Sequence, residues 1–235
     1  MQLFRILQSQ GFGPRRACRE LVESGRVAVD GVLADDPERE YDSAGLTLTL
    51  DGQDWLYREK VYLALNKPAG FECSRQARHH PSVFSLLPPP LALRGAQPVG
   101  RLDQDSGGLL LLSDDGAFIH RYTSPKKGVG KRYRVTCKHP VGDEQIAALL
   151  AGVQLRDEPA PLAARGCVRV AERVIDLDIA EGKYHQVKRM LAAAGNRVES
   201  LQRTRIGGLD LPADLAPGQW RYLDADDLAR LAEAT

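Results

Sequence analysis

The sequence predicts an α+β protein in two parts: a small domain over residues 1–57, of two helices plus a hairpin, and a larger mixed domain over residues 58–235. Three observations predict it. Apolar residues recur at helical spacing in the first 24 residues and are followed by an Asp-Gly hairpin signal. Short apolar runs of strand length, Val61–Leu65 and Leu109–Leu112, stand between turn-forming residues. Amphipathic stretches at Asp143–Ala151 and near Ala194 flank two strand patterns, Cys167–Val170 and Val174–Ile179, that read as a pair.

In chain order, Leu3, Ile6 and Leu7 give a helix over residues 2–10, broken by Gly11-Phe12-Gly13. Pro14 suits the first residue of a second helix running to about Ser24. That helix keeps Ala17, Leu21 and Val22 on one face and carries Arg15, Arg16 and Arg19 toward its start; Gly25 stops it. Arg26–Val29 alternates as a strand, Asp30-Gly31 turns it, and Val32-Leu33 returns. Leu46–Leu50 reads as the last strand of the small domain, and Asp51-Gly52-Gln53-Asp54 as the way out of it.

The second domain opens with a buried strand, Val61–Leu65, that ends in Asn66-Lys67-Pro68-Ala69-Gly70; strand plus turn accounts for this string without any function. Ser74–Gln97 reads as an irregular surface excursion with one short helix near Ser82–Leu87. His79 and His80 have no carboxylate or cysteine at metal spacing, so no metal site is expected. Next comes a polar loop that presents Arg101, Asp103 and Asp105 beside the Leu109–Leu112 strand, where a charge is costly unless paired or used. Gly107 and Gly108 let a backbone or ligand approach, and Asp115-Gly116 closes the strand. A short helix at Ala117–Tyr122 and a basic loop at Ser124–Gly128 follow. The strand Lys131–Thr136 puts Lys131, Tyr133 and Val135 on one face and Arg132, Arg134 and Thr136 on the other. Glu181–Met190 turns into a helix that ends at Gly195-Asn196.

Composition narrows the class. Of 235 residues, 43% are hydrophobic and 27% charged, ordinary for a soluble globular chain. No apolar run approaches the roughly 18 residues of a membrane span, and the first residues do not show a signal-peptide pattern, so neither is expected. The four cysteines are far apart, which reads as reduced thiols in the cytoplasm. Net charge is only +1, yet seven basic and no acidic residues lie between Arg121 and Lys138. Acids gather at Asp35–Asp42 and Asp224–Asp227, so a basic face on a neutral molecule is expected, a field that attracts phosphate.

The string Gly100-Arg101-Leu102-Asp103, followed by Ser106-Gly107-Gly108, four leucines and Ser113-Asp114-Asp115-Gly116, resembles the catalytic motif of pseudouridine synthases of the RsuA type, which act on ribosomal RNA. Asp105-Ser106-Gly107 stands where the family usually shows Thr-Ser-Gly or Thr-Thr-Gly. Asn66–Gly70 resembles the first motif of these enzymes and Lys131-Arg132-Tyr133-Arg134-Val135 the motif whose Tyr lies against the target base. Gly182–Met190 resembles the last motif in the form of the small-subunit branch, with Lys183 in place of the usual Arg. Arg203–Gly208 and Ala213–Gly218 match the same branch. The two N-terminal helices and hairpin resemble the small RNA-binding module of a ribosomal small-subunit protein and of tyrosyl-tRNA synthetases.

The resemblance implies a largely antiparallel catalytic sheet and an enzyme that isomerises uridine to pseudouridine in small-subunit (16S) ribosomal RNA, without cofactor or metal. Asp103 would act on the sugar, as nucleophile or as base; Lys188 matches the basic residue that pairs with it. Tyr133 would stack on the uracil and Arg101 steer the displaced nucleotide. Arg15, Arg16, Arg19, Lys126, Lys127, Lys131, Arg132, Lys183 and Arg189 are the candidate RNA contacts. The expected partner is ribosomal RNA within a precursor ribosomal particle, met by a cytoplasmic monomer with no membrane contact. A related large-subunit enzyme and a catalytically silent RNA-binding assembly factor are the alternatives. A conventional glycosidase fits worst, because it employs two carboxylates and Asp105 has no counterpart role in the resemblance.

Overall fold

Leu3, Phe4, Ile6 and Leu7 share the buried side of α1 (Leu3–Ser9). Pro14 is extended and leads into α2 (Arg15–Glu23), which buries Cys18 and Val22. Asp30 and Gly31 both have positive φ, 48° and 80°, as a tight right-twisted hairpin demands; they join β1 (Val27–Val29) to β2 (Val32–Leu33). β3 (Thr47–Leu50) lies on the other side of β1. The expected exit from this domain is a second hairpin instead. Asp51 and Gly52 repeat the same backbone, φ 47° and 79°, and return the chain as β4 (Gln53–Leu56) in the antiparallel order β2-β1-β3-β4.

The computed structural model describes residues 1–233 and divides into two compact units, residues 1–61 with 87–97 and 113–115, and the remainder. The excursion before residue 97 is more regular than its three prolines suggest. A 3₁₀ turn occupies Val83–Leu86, and α3 (Pro89–Leu93) follows with Pro88 as its cap and prolines in its first turn, where no amide is needed for the helix. Arg94 fixes this segment within the first unit: its buried guanidinium pairs with Asp114 at 2.7 Å and donates to the Arg58 carbonyl at 3.0 Å.

Apart from the strand-end residues Gln97 and Ser113, which fall in the first unit, the second unit is built on β5 (Tyr62–Lys67), β6 (Gln97–Pro98), β7 (Gly107–Ser113), β8 (Lys131–Cys137), β9 (Gly166–Ala171), β10 (Val174–Ile179), β11 (Val198–Ile206), β12 (Leu209–Asp210) and β13 (Trp220–Tyr222). Their order is β13-β5-β7-β11-β8-β10-β9, with β12 on β11 and β6 on β7. β7 and β11 run parallel, while β13–β5, β11–β8, β8–β10 and β10–β9 are antiparallel. Helices α4 (Gly116–Thr123), α5 (Asp143–Ala151), α6 (Gln186–Ala193) and α7 (Ala225–Ala232) complete it. Leu109–Leu112 are all fully buried, so β7 is covered on both faces and reads as an unbroken apolar run. A side chain at Gly108 would stand 2.2 Å from the Arg203 carbonyl oxygen; only glycine lets β7 and β11 lie this close.

Candidate active site

The loop that feeds β7 is wound around a buried ammonium. Lys67, the last residue of β5, is 1% exposed. Its Nζ donates to the carbonyls of Ser106 at 2.6 Å, Asp103 at 3.0 Å, Pro68 at 3.1 Å and Gln104 at 3.3 Å. The Gly70 amide adds a bond to the Gln104 carbonyl at 2.8 Å. Burial pulls the Lys67 pKa below the ordinary lysine value, against the smaller opposing pull of the Asp105 and Asp103 charges. The Lys-Pro-Ala-Gly turn thus dictates the shape of residues 103–106, and that shape carries Asp103 to the surface with its side chain 33% exposed.

Three residues from two other elements, α6 and β8, share the site with Asp103. Lys188, in the first turn of α6, places Nζ 3.1 Å from Asp103 Oδ2 and 2.6 Å from Asp105 Oδ1. Burial alone would lower the Lys188 pKa, but its hydrogen bonds to Asp105 and Asp103 outweigh that and hold it above the usual value. The Lys188 hydrogen bond holds the Asp105 carboxyl below the usual carboxylate range. His185 caps α6 in a left-handed backbone, φ 48°, and its Nε2 lies 3.4 Å from Asp103 Oδ1. Tyr133, on β8, is buried to 8% exposure. Arg101, Asp103, Tyr133, His185 and Lys188 line one cavity of about 80 Å³, and Arg101, Asp103 and His185 also line a neighbouring cleft of about 450 Å³. Arg101 is exposed and enters no ion pair among the described residues. The cavity offers one carboxylate, Asp103, with a cation beside it, an aromatic wall and an exposed cation at the rim.

Residues 61–193 match the model of a family described as RNA pseudouridylate synthase. The chain belongs to that family. Residues 1–45 match the S4 domain. A Bacillus subtilis (strain 168) protein named as an uncharacterized RNA pseudouridine synthase, YtzG, is 37% identical over 99% of both chains. "Ribosomal small subunit pseudouridine synthase A" of Escherichia coli (strain K12) is 39% identical over 95% of this chain and 96% of its own; the Salmonella typhimurium protein of that name is 45% identical with the same coverage. A solved structure titled "Crystal structure of pseudouridylate synthase" superposes with TM-score 0.70 at 32% identity, covering 99% of this chain and 100% of that one.

The remaining basic residues of the synthase are less free than their sequence suggests. Arg132 forms a two-point ion pair with Asp178 at 2.8 and 2.9 Å, and Arg134 does the same with Asp176. Of the seven basic residues expected to form a basic face between Arg121 and Lys138, the two on the outer side of β8 meet carboxylates of β10, and Arg132 is held by one of them. Lys131 donates to the Val129 carbonyl at 2.8 Å, and burial, with the like charge of Arg203, brings its pKa down to about 8. Lys126 and Lys127 are exposed. Lys183 pairs with Glu158 at 2.8 Å, and Arg189 donates to the Tyr184 carbonyl at 3.2 Å. In the first unit Arg15 lies over the Phe4 ring at 4.7 Å, Arg16 pairs with Glu20 at 2.8 Å, and Arg19 pairs with Glu38.

Four residues at or beneath the synthase site escaped the sequence reading. Lys67 was explicable as a turn residue, Asp105 had no assigned role, and His185 and Arg203 were only letters of matching strings. Arg203 is 2% exposed within β11 and donates from Nε to the Leu109 carbonyl at 2.8 Å. A lysine at the end of an apolar strand was the one available signal for a buried cation. No group of three His, Cys, Asp or Glu that could hold a metal, and no helix long and apolar enough to cross a membrane, occurs among the described residues.

Proposed function

We propose that this synthase converts a specific uridine of small-subunit ribosomal RNA to pseudouridine, as a cytoplasmic monomer acting within a precursor ribosomal particle. The relatives named for the small ribosomal subunit support the target. The observation that carries the chemistry is the convergence of Asp103, Lys188 and Tyr133 on one cavity. In the reaction the bond from C1′ to N1 breaks, the uracil turns, C5 bonds to C1′ and gives up its proton, and N1 takes up a proton. Substrate and product are isomers, so the site must hold a detached base against the sugar. Asp103 acts on the sugar, by attack at C1′ or by taking a proton from C2′; both routes need an ionised carboxylate with an oxygen open to the ligand. Lys188 supplies the counter-charge. Tyr133 stacks on the uracil and keeps it in place while it turns. Arg101 occupies the space that the extruded nucleotide vacates, an extrusion that costs a few kcal/mol. Residues 1–57 hold the RNA through Arg15, Arg16 and Arg19, and residues 58–235 carry the chemistry, with Lys126, Lys127, Lys131, Lys183 and Arg189 contributing phosphate contacts; Arg132 contributes only where RNA competes with Asp178.

Asp103→Asn separates binding from chemistry. The amide keeps the size of the side chain and removes the charge that either route requires. Tritium release from small-subunit rRNA labelled at uracil C5 is expected to fall by roughly 10⁴ or more, while filter binding of the same RNA stays near wild type, since removing an anion does not weaken phosphate attraction. Release within about tenfold of wild type would remove Asp103 from the reaction.

A further inference from the structure

Tyr184 is the only Phe, Trp or Tyr that is exposed among the described residues, at 72%. It is nevertheless held. Its ring stacks on His185 with centroids 3.8 Å apart and planes 20° from parallel. Its carbonyl accepts from Arg189 Nη1 at 3.2 Å, and the preceding Lys183 amide donates to Gln186 Oε1 at 3.1 Å. Neighbouring side chains ordinarily diverge; the left-handed backbone at His185, φ 48°, is uncommon for a non-glycine residue. Here it keeps two rings face to face at the rim of the cleft of about 450 Å³ that Asp103, Gln104 and Arg101 also line. His185 covers one face of Tyr184 and leaves the other open, while its own Nε2 touches Asp103.

A large flat ring fixed in place, open on one side and beside an unpaired arginine, is the surface that an unstacked base of single-stranded nucleic acid needs: every base has a face to stack, and the cation meets its phosphate. We infer that the open face of Tyr184 is the stacking platform for a base adjoining the modified uridine. The occupant is a nucleotide of the RNA substrate, so the inference rests on the proposed function and adds a contact outside the uracil pocket. The order base, Tyr184, His185, Asp103 then links seating of the neighbouring nucleotide to the carboxylate that acts on the sugar.

The test uses full-length protein and a short RNA spanning the modified uridine, with 2-aminopurine placed immediately 5′ or immediately 3′ of it. Stacking quenches this base, and the signal needs no turnover. Wild-type protein is expected to quench it at one of the two positions. Tyr184→Ala is expected to abolish that quench and weaken binding about 5- to 150-fold, and Tyr184→Phe, which keeps a ring, to retain the quench. An abasic residue at the same position is expected to weaken wild-type binding to a similar degree and to leave Tyr184→Ala unaffected. No quench at either position, or equal losses from the abasic residue in both proteins, would overturn the platform. Conversion of uridine by wild-type protein on the same RNA is read separately, so a protein that stacks without modifying the RNA tells against the proposed function alone, and one that modifies it without the Tyr184 effect tells against the platform alone.

Discussion

Lys67 and Lys188 bring the same ammonium group to opposite sides of one loop and meet opposite kinds of acceptor. Lys67 is buried and finds only carbonyls; Lys188 is a quarter exposed and finds two carboxylates. Four dipoles around a cation can satisfy its hydrogen-bonding capacity without cancelling its charge, so Lys67 sets the path of residues 103–106. A cation between two anions gives up directional choice for charge compensation, so Lys188 sets the charge balance of the site. The pKa directions agree, lowered for Lys67 by burial and raised for Lys188 by its partners. One lysine builds the loop and the other tunes what the loop displays.

The largest effect that separates them is on catalysis. Lys188→Met is expected to lower the single-turnover rate by roughly 10²–10³, the scale of losing one charge-stabilising group, and to change unfolding stability by less than about 1 kcal/mol because the ion pairs it loses are partly exposed. Equal losses of rate and stability would make Lys188 a second structural lysine.

Lys67→Met inverts the pattern. It leaves the carbonyls of Pro68, Asp103, Gln104 and Ser106 facing a thioether, and orphaned buried acceptors cost roughly 1–3 kcal/mol each before the loop relaxes. A net loss of about 2–4 kcal/mol is expected, seen as a fall in Tm of about 5–15 °C for the second unit. Thermal unfolding at wild-type Tm would show that the loop holds its path without the cation.

This division of labour was half legible in the sequence. Lys188 was found because its position matches a motif. Lys67 was seen, but a lysine followed by Pro and Gly is fully explained by a turn, and only the tertiary fold reveals that four carbonyls aim at it. The fold itself was readable where local chemistry and burial agree, as in the Leu109–Leu112 run and the Asp30-Gly31 hairpin. It was misread where one signal had two meanings. Asp51-Gly52 is the same turn as Asp30-Gly31 yet read as an exit, because β4 begins with the polar pair Gln53-Asp54 and only Trp55-Leu56 are apolar. The prolines of α3 read as irregular because their tolerance in a first turn depends on where the helix starts. The neutralised strand face was beyond reach for another reason: Arg132 and Asp178 are 46 residues apart, and no local pattern announces their pairing.

The smallest effect sharpens the comparison most. Asp105 is the nearer of the two carboxylates to Lys188 but is mostly exposed, 63% against 33% for Asp103. Asp105→Asn removes one anion from Lys188 and leaves the other, so Lys188 keeps its contact with Asp103 and the rate is expected to fall less than about tenfold, the scale of a solvent-screened ion pair. The pH dependence of stability fixes the sign of the change. The depressed folded pKa of Asp105 gives stability that is present above the unfolded value of about 3.9 and is lost as pH falls through the folded pKa. The raised folded pKa of Lys188 gives stability that is complete below about 10.4 and is lost as pH rises through its folded value. Between these limits neither group contributes a slope. Urea unfolding of Asp105→Asn is therefore expected to lose the Asp105 share of the acid-side decline and to soften the alkaline one. A rate as low as that of Lys188→Met would instead mean that Lys188 works through Asp105, and that the ammonium serves a pair of carboxylates acting as one unit.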